Sequence, residues 1–486
     1  MNRRSSPGLG QWLTVSLMVV FIIFLFFKLY QYTQFQAFMP AGMTIAGVDV
    51  GGLTREQASD LLTERYLRAP VTVYHLDTAI QIDPVDAEFQ LDLPTMLSEA
   101  DFERSQQDFW SGFWGFLWGR PVNVNMVELR ATHNRDALRD VVQLIASSLD
   151  QPAQPPQPVP TSMSFQYGAS GTKTDIETSL PAIENAFYRA VDREATLVVD
   201  PIEAQRPDIQ LLARLMVNHL QGFNGVASVF IMDLQTGEEI SYQPDVAVSG
   251  MDMLKLPITL EAYRLLDPPL TLSQTSLISN TLMQPGNTAA NQLLTVVAGK
   301  NDPFAGADIV TEDLQRLGLV DTFMVAPYDE APRPTLRTRQ TPANQNAEPT
   351  ANPDPAMQTT AEDMATLLAM LYYCAEGNGG ALRAMFAADL TQGKCQAIID
   401  VMTRNRIGSL IEEGVPPDVP VAHRHGWIND THGDAGIVYS PNGAYVIVVF
   451  MYKPDWLEWE ISSPLIAELS RATYNYFNFD NPFLGG

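Results

Sequence analysis

The chain has 486 residues, of which 46% are hydrophobic and 18% charged, and its formal net charge is −26. This length is too great for one ordinary hydrophobic core and predicts two or three domains. Such an acidic balance argues against nucleic acid as a partner and against docking on anionic lipid through a basic face.

The first predicted element is an apolar segment long enough to cross a membrane. Residues 12–27 contain no charge, and Lys28 is followed by further apolar residues up to residue 32. A bilayer requires about 20 residues, and a lysine near the end of a span can extend its ammonium toward the interface. We therefore predict a transmembrane anchor over residues 12–32.

Positive charges predict the orientation of this anchor. Arg3 and Arg4 precede it, and after Lys28 the next Lys or Arg is Arg55. The positive-inside rule then makes residues 1–11 a cytoplasmic tail and places the main body outside. A cleaved signal peptide is the alternative, but no small-x-small cleavage site follows the apolar run.

Residues 41–203 are predicted to form an α+β module. The segment GVDVGGLTREQASDLL predicts a strand, a Gly-Gly turn and a helix with a capping box between Thr54 and Gln57. The segments VTVYHL and AIQIDP predict a hairpin. A proline-rich connector occupies residues 149–162.

The aromatic segment DFWSGFWGFLWGR, residues 108–120, contains three tryptophans. Such residues more often pack in a core than face a sugar or a membrane, so we expect them to be core residues. A sugar-facing or membrane-facing patch remains the alternative.

This module resembles the peptidoglycan-binding module found near VanW-type and L,D-transpeptidase domains of bacterial surface proteins. The resemblance is carried by GVDVGGLTREQA and by the spacing of Gly168, Gly171 and Asp175 at a later helix start. It covers most of residues 41–200 and implies a place at the bacterial cell wall.

Residues 204–486 have a different pattern. A helix over 208–221 precedes two strands joined near Thr236, and helical segments follow. The end is strand-rich, with a hairpin turn at residues 441–443 and a closing helix over 463–477. We predict an antiparallel sheet built from both termini of the domain and packed against a helical body.

Four short segments in this part resemble the class A β-lactamase and penicillin-binding family. They correspond to its S-x-x-K, S-D-N, T-T-x-x-x-M-A and K-T-G elements, and here they read DMLKLPI (252–258), PGNTAANQLL (285–294), TTAEDMATLL (359–368) and AHRHGW (422–427). The order and spacing of the four segments imply the β-lactamase/transpeptidase-like fold.

The family's mechanism requires a serine nucleophile, a lysine one helical turn later, a relay serine and a K-T-G strand that holds the substrate carboxylate. The attacking serine, the relay serine, the S-D-N aspartate and K-T-G correspond here to Asp252, Pro285, Gly286 and Arg424-His425-Gly426. Lys255, Asn287 and Gly426 are retained.

These substitutions argue against acyl-enzyme chemistry. Asp252 beside Lys255 would be a weak nucleophile, Pro285 has no proton to relay, and Ser249 lies about a turn too far from Lys255. Asp252 instead suits the start of a helix, where it can pair with Lys255. The resemblance nonetheless leaves a vestigial cleft, with ligand contacts expected from Lys255, Asn287, Arg424, His425 and Trp427.

Two further patterns are candidates for catalytic groups. The string EPTAN at Glu348 fits the deacylation motif E-P-x-x-N, but it lies closer to Thr359 than the family places it, and chance explains it better. His423, His425, His432 and Asp434 suggest a zinc site for a metallohydrolase. The K-T-G resemblance already accounts for this strand, so we expect no metal and no cofactor.

Cys374 and Cys395 lie outside the membrane on this interpretation. An oxidising compartment favours a disulfide between them, and two buried thiols are the alternative. Altogether the sequence predicts a single-pass protein of the bacterial plasma membrane, with a pseudoenzyme domain that binds peptidoglycan or its D-alanyl peptide stems. An active serine hydrolase, a metallohydrolase and a purely structural surface protein are the rival interpretations.

Overall fold

The structure, a computed structural model, describes residues 9–106, 108–120, 126–346 and 348–485. Most of the tail expected at residues 1–11 lies outside the described residues. The α-helices are α1 (Leu9–Phe35), α2 (Arg55–Thr63), α3 (Leu93–Ser105), α4 (Phe109–Leu117), α5 (Arg135–Leu149), α6 (Ile176–Phe187), α7 (Ile209–Leu220), α8 (Lys255–Leu265), α9 (Leu272–Met283), α10 (Thr288–Ala298), α11 (Pro303–Arg316), α12 (Pro342–Gln345), α13 (Ala361–Ala375), α14 (Gly380–Met385), α15 (Gln392–Thr403) and α16 (Trp459–Phe477).

The strands are β1 (Thr44–Ile45), β2 (Val48–Asp49), β3 (Val71–His75), β4 (Thr78–Ile82), β5 (Gln90–Leu91), β6 (Ala131–Thr132), β7 (Gln157–Val159), β8 (Ser164–Gln166), β9 (Gly171–Asp175), β10 (Glu194–Thr196), β11 (Val198–Ile202), β12 (Val226–Asp233), β13 (Glu239–Tyr242), β14 (Val248–Ser249), β15 (Phe323–Met324), β16 (Met357–Thr359), β17 (Val421–Trp427), β18 (Thr431–Ser440) and β19 (Gly443–Tyr452).

The chain divides into two compact units. The first comprises residues 1–154 with 170–203, and the second comprises 155–169 with 204–486. Residues 155–169 lie inside the range assigned to the first module by sequence, but they belong to the second unit. The reason is burial, because Met163 and Phe165 pack in a hydrophobic cluster with residues of α7 and α16.

In the first unit, α1 contains an apolar segment, Trp12–Phe35, with a mean hydropathy of 2.4. It is long and apolar enough to cross a membrane, a description that fits a membrane anchor or a signal sequence. Farther along, Thr54 and Gln57 form the expected capping box at the start of α2. The predicted hairpin is present as the antiparallel pair β3 and β4.

The tryptophans of residues 108–120 are not core residues, so that expectation is wrong. Trp110, Trp114 and Trp118 are 58%, 49% and 73% exposed. Only Phe113 of α4 is buried. The physical reason is that α4 packs on α1 rather than on the hydrophobic core of the first unit.

The second unit is built on an antiparallel five-stranded sheet of order β13-β12-β19-β18-β17. Successive side chains of a strand point to opposite faces. Val446 and Val448 of β19 therefore pack with α8, α10, α11, α13 and α15, whereas Ile447 and Val449 pack with α7 and α16. Helices thus cover the sheet on both faces, and β18 and β19 turn at residues 441–442, as expected.

A short 3₁₀ turn, Met251–Leu254, runs directly into α8. Residues Lys255–Tyr263 of α8 are all buried. A helix surrounded by protein on all sides has no solvated face for a charge. Lys255, at its first position, is therefore an interior cation and must find its partners inside the unit.

Cys374 of α13 and Cys395 of α15 form a disulfide bridge with Cα atoms 5.9 Å apart. Of the two alternatives that the sequence left open, the structure has the bonded one. A cross-link across a loop of this size contributes about 3 kcal/mol in the chain-entropy picture. It ties together two of the helices that cover one face of the sheet.

Candidate functional site

A cleft of about 310 Å³ opens in the second unit where the 3₁₀ turn, the start of α10 and the end of β17 meet. Four of the motif positions that the sequence singled out, Asp252, Pro285, Asn287 and Trp427, line it. Its lining residues are Ser249, Met251, Asp252, Pro285, Asn287, Tyr328, Asp329, Asp354, Met357, Trp427 and Ile428.

Asp252 occupies the expected nucleophile position, and both of its carboxylate oxygens are engaged. Oδ1 lies 2.8 Å from the Lys255 ammonium. Oδ2 accepts a hydrogen bond from the Arg424 guanidinium. A carboxylate whose two oxygens are each engaged by a cation is a poor nucleophile, because the cations draw electron density from the oxygens that would attack.

The Lys255 side chain is fully buried beside Asp252. Its ammonium also donates to the backbone oxygens of Gly286, at 3.1 Å, and Pro285, at 3.4 Å, and it lies 5.6 Å from the centre of the Tyr328 ring. Burial lowers the pKa of Lys255, and the adjacent Asp252 carboxylate opposes that shift. The Lys255 ammonium is thus bonded to the Asp252 carboxylate and to two backbone carbonyls of the second unit.

Arg424 is likewise buried and bonded internally. Its guanidinium donates to the Leu282 carbonyl at 2.7 Å as well as to Asp252. The sequence led us to expect Lys255 and Arg424 as ligand contacts. Their burial is the physical reason why their hydrogen bonds go to Asp252 and to backbone carbonyls instead.

Gly426 permits this arrangement. A Cβ atom at this position would lie 2.9 Å from the Asp252 nitrogen and 3.0 Å from the Met251 Cβ. Strand β17 therefore approaches the 3₁₀ turn at a distance that only glycine allows. That close approach brings the Arg424 side chain to Asp252.

His425 does not line the cleft, contrary to expectation. Side chains alternate along a strand, and Arg424 and Gly426 face Asp252, so His425 points to the opposite face. Its Nδ1 is buried and has no hydrogen-bond partner among the residues that the structure describes, and burial lowers its pKa. Trp427 does line the cleft and is largely exposed at its rim, so it does not fill the cavity.

The S-D-N-like segment contributes Pro285 and Asn287 to the lining. The Asn287 amide donates to both carboxylate oxygens of Asp329 at 3.1 Å. Asp329 and Asp354 add two carboxylates to that of Asp252, which makes the cleft acidic. Sequence reasoning did not identify either residue, because both come from loops that only the tertiary fold brings to the cleft.

Two of the described lining residues, Ser249 and Tyr328, carry hydroxyl groups. The Ser249 Oγ accepts a hydrogen bond from the Asp354 N–H at 2.9 Å, and the Tyr328 hydroxyl donates to the Met251 carbonyl at 2.7 Å. Burial raises the pKa of Tyr328 well above its ordinary value of 10.0. Glu348 is exposed and is not part of the lining.

The histidines do not form the zinc site considered from the sequence. The His423 ring is hydrogen-bonded to the Asp434 carboxylate, at 3.0 Å, and to the Asn405 carbonyl, at 2.8 Å. The His432 ring is hydrogen-bonded to the Ser462 hydroxyl. Burial would lower the pKa of His423, but the Asp434 carboxylate raises it above 6.5 overall. In the part of the chain that the structure describes, no group of three or more potential ligands could hold a metal ion.

Comparison with known proteins gives one family match. Residues 265–477 match the Beta-lactamase2 family, the beta-lactamase enzyme family, and the match begins after Lys255. This match and the layered architecture identify the class: the second unit has the β-lactamase-like fold of serine hydrolases and penicillin-binding proteins. No curated protein matches the chain.

Similar solved structures share low identity with the chain. PBP-A is 19% identical over 56% of this chain and 98% of its own, with a TM-score of 0.43. A β-lactamase from Sphaerobacter thermophilus is 18% identical over 57% and 100%, with a TM-score of 0.42. The TLA-3 extended-spectrum β-lactamase is 15% identical over 55% and 99%, with a TM-score of 0.43.

Proposed function

We propose that the second unit is a non-catalytic β-lactamase-like domain that binds peptide stems of peptidoglycan at the outer face of the bacterial plasma membrane, where α1 anchors the chain. The observation that carries the proposal is the double ion pair of Asp252 with Lys255 and Arg424. The first unit, which resembles a peptidoglycan-binding module, supports the same location.

The loss of catalysis follows from the chemistry of acyl transfer. Attack requires a hydroxyl that a base can deprotonate, whereas Asp252 would have to leave two cations and form a mixed anhydride. In serine proteases, removal of the activated nucleophile costs a factor of about 10⁶ in rate. Pro285 also lacks the hydroxyl that would pass a proton to the leaving nitrogen.

The lining of the cleft favours a particular part of the stem peptide. Asp329 and Asp354 face the cavity, whereas Lys255 and Arg424 are buried and already paired. An acidic cavity attracts an ammonium group more strongly than a carboxylate. We infer that the free amine of the diamino acid in the stem enters the cleft, with Trp427 packing against its aliphatic part.

Acylation is tested by intact-mass spectrometry of the full chain in detergent micelles after incubation with excess penicillin. We expect an unchanged mass, because no serine stands at position 252. An Asp252→Ser variant run beside it shows whether a hydroxyl at that position restores any adduct. A stoichiometric adduct on the natural chain would overturn the proposal in favour of a penicillin-recognising enzyme.

Binding is tested by calorimetric titration with a stem pentapeptide that contains lysine. The free-amine peptide should bind. Its Nε-acetylated form has no ammonium charge and should bind at least about tenfold more weakly, a difference of about 1.4 kcal/mol in binding free energy. Added salt should weaken the free-amine complex by screening. Equal affinities would contradict the assigned role of the carboxylates, and no binding of either peptide would reject the ligand class.

A further inference from the structure

Helix α4 has an unusual surface for a protein exposed to water. Its sequence, FWSGFWGFL, contains no charged residue, and Trp118 follows directly. A helix that is apolar all round is normally enclosed by a core or by a membrane. Here the rings of Trp110, Trp114 and Trp118 stand largely free of protein.

The neighbour of α4 is the predicted membrane span. The Tyr32 ring of α1 lies 5.4, 5.7 and 5.5 Å from the rings of Phe109, Phe113 and Phe116, and Phe35 lies 5.3 Å from Phe116. Tyr32 is buried by these contacts. The apolar surface of α4 is therefore continuous with that of α1, which is itself uncovered in its most apolar window.

The contact extends well down the span. A cavity of about 270 Å³ lies between Trp110, Phe113 and Trp114 of α4 and a stretch of α1 that begins at Ile22. Ile22 and Tyr32 are ten residues apart, which is about 15 Å along a helix. Half of a hydrocarbon core is also about 15 Å thick, so side chains of α4 reach the part of α1 that would occupy one leaflet.

Lys28, the lysine that follows the uncharged stretch of α1, fits the same arrangement. Its ammonium donates to the Gln31 side chain at 2.9 Å, toward the end of α1, and lies 6.0 Å from the centre of the Phe116 ring. Helix α4 thus covers the aliphatic stem while the charge points toward the interface. The charged residues Asp108 and Arg120 bracket the apolar stretch of α4.

We propose that α4 is inserted in the outer leaflet beside α1, and that lipid acyl chains cover its exposed tryptophans. The proposal rests on the membrane anchoring proposed above. It makes α1 and α4 one membrane-embedded pair, with the aromatic rings of α4 in the outer leaflet and near the headgroups, where tryptophan is enriched.

The test uses the full chain in phosphatidylcholine vesicles prepared with or without brominated acyl chains, which quench tryptophan emission on contact. Trp12 and the three tryptophans of the α4 segment should be quenched. A Trp110→Phe/Trp114→Phe variant should lose about half of the quenched emission, as two of four membrane tryptophans are removed. A Trp456→Phe variant is the matched control. Trp456 is 57% exposed but lies in the second unit, so its removal should leave the quenched emission unchanged.

Equal quenched emission in the wild type and in the double variant would overturn the proposal. Cross-linking of α4 to a second copy without quenching would also overturn it, in favour of a protein partner. Alkaline carbonate extraction distinguishes a missing membrane anchor from a missing insertion of α4. A chain that is extracted has no anchor, which rejects both statements, whereas a resistant chain without quenching at these positions rejects the insertion of α4 alone.

Discussion

Asp252 accepts hydrogen bonds from two buried cations, and its removal would leave both without a counter-ion. The sequence spacing predicted its pair with Lys255, since residues three apart meet on a helical turn. The pair with Arg424 joins positions 172 residues apart, and no local pattern indicates it. The sequence did contain one signal for this pair. Lys255 and Arg424 are cations at family motif positions, and Asp252 is the carboxylate among those positions.

An Asp252→Ala variant should therefore unfold more easily. Breaking a buried ion pair by removing one partner costs about 3–5 kcal/mol, because the remaining charge is buried and uncompensated. The free energy of unfolding in urea measures the loss. Asp329→Asn is the control, because Asp329 is an exposed carboxylate of the same cleft that Asn287 contacts. Equal, small losses in the two variants would contradict the importance of the double ion pair.

Among the elements, β17 was predicted correctly in part. Its position and its glycine follow from the motif pattern, but the expectation that His425 faces the cleft beside Arg424 ignored the alternation of a strand. The closing helix also starts at Trp459 rather than at residue 463. Pro464 lies inside the helix.

A Gly426→Ala variant should test the close approach of β17 to the 3₁₀ turn. The added methyl group would overlap the backbone of Asp252, and overpacking of this kind costs about 1–3 kcal/mol. A lowered melting temperature is the expected result. Gly286→Ala is a suitable control in the neighbouring loop, since a Cβ there meets nothing within 4 Å. A Gly426→Ala variant as stable as Gly286→Ala would show that the approach is loose.

At the scale of the molecule, the division into two units and the β-lactamase-like fold of the second follow from features spread along the sequence. The order of four motif segments carries fold information that no single segment has. The sequence did not predict two placements: that of residues 155–169 in the second unit and that of α4 on α1. Both depend on which apolar surface a short segment covers, and only the tertiary structure shows this.

Stability should fall as pH rises from 5 to 8, with Glu261 as a main cause. Burial raises its pKa from 4.5 to about 7, although Arg264 opposes the shift. A raised pKa favours the protonated form in the folded state, so this contribution is complete below pH 4.5 and is lost as the pH passes 7. The pKa difference corresponds to about 3 kcal/mol.

A Glu261→Gln variant should show a smaller decline in the free energy of unfolding between pH 5 and pH 8 than the wild type. Burial also raises the pKa of Asp363 to about 6, and that residue is present in both proteins, so its contribution cancels in the comparison. Parallel pH profiles of the two proteins would show that Glu261 does not titrate in this range.

The double ion pair has a further consequence for acids that reach the cleft. Asp252 is in effect a tethered ligand of Arg424, always present and already aligned. Binding of a group on the same chain is intramolecular and does not depend on its concentration in solution. A β-lactam, or a stem that offers only its terminal carboxylate, must therefore compete with an intramolecular occupant, and the cleft resists the acids that it would otherwise hold.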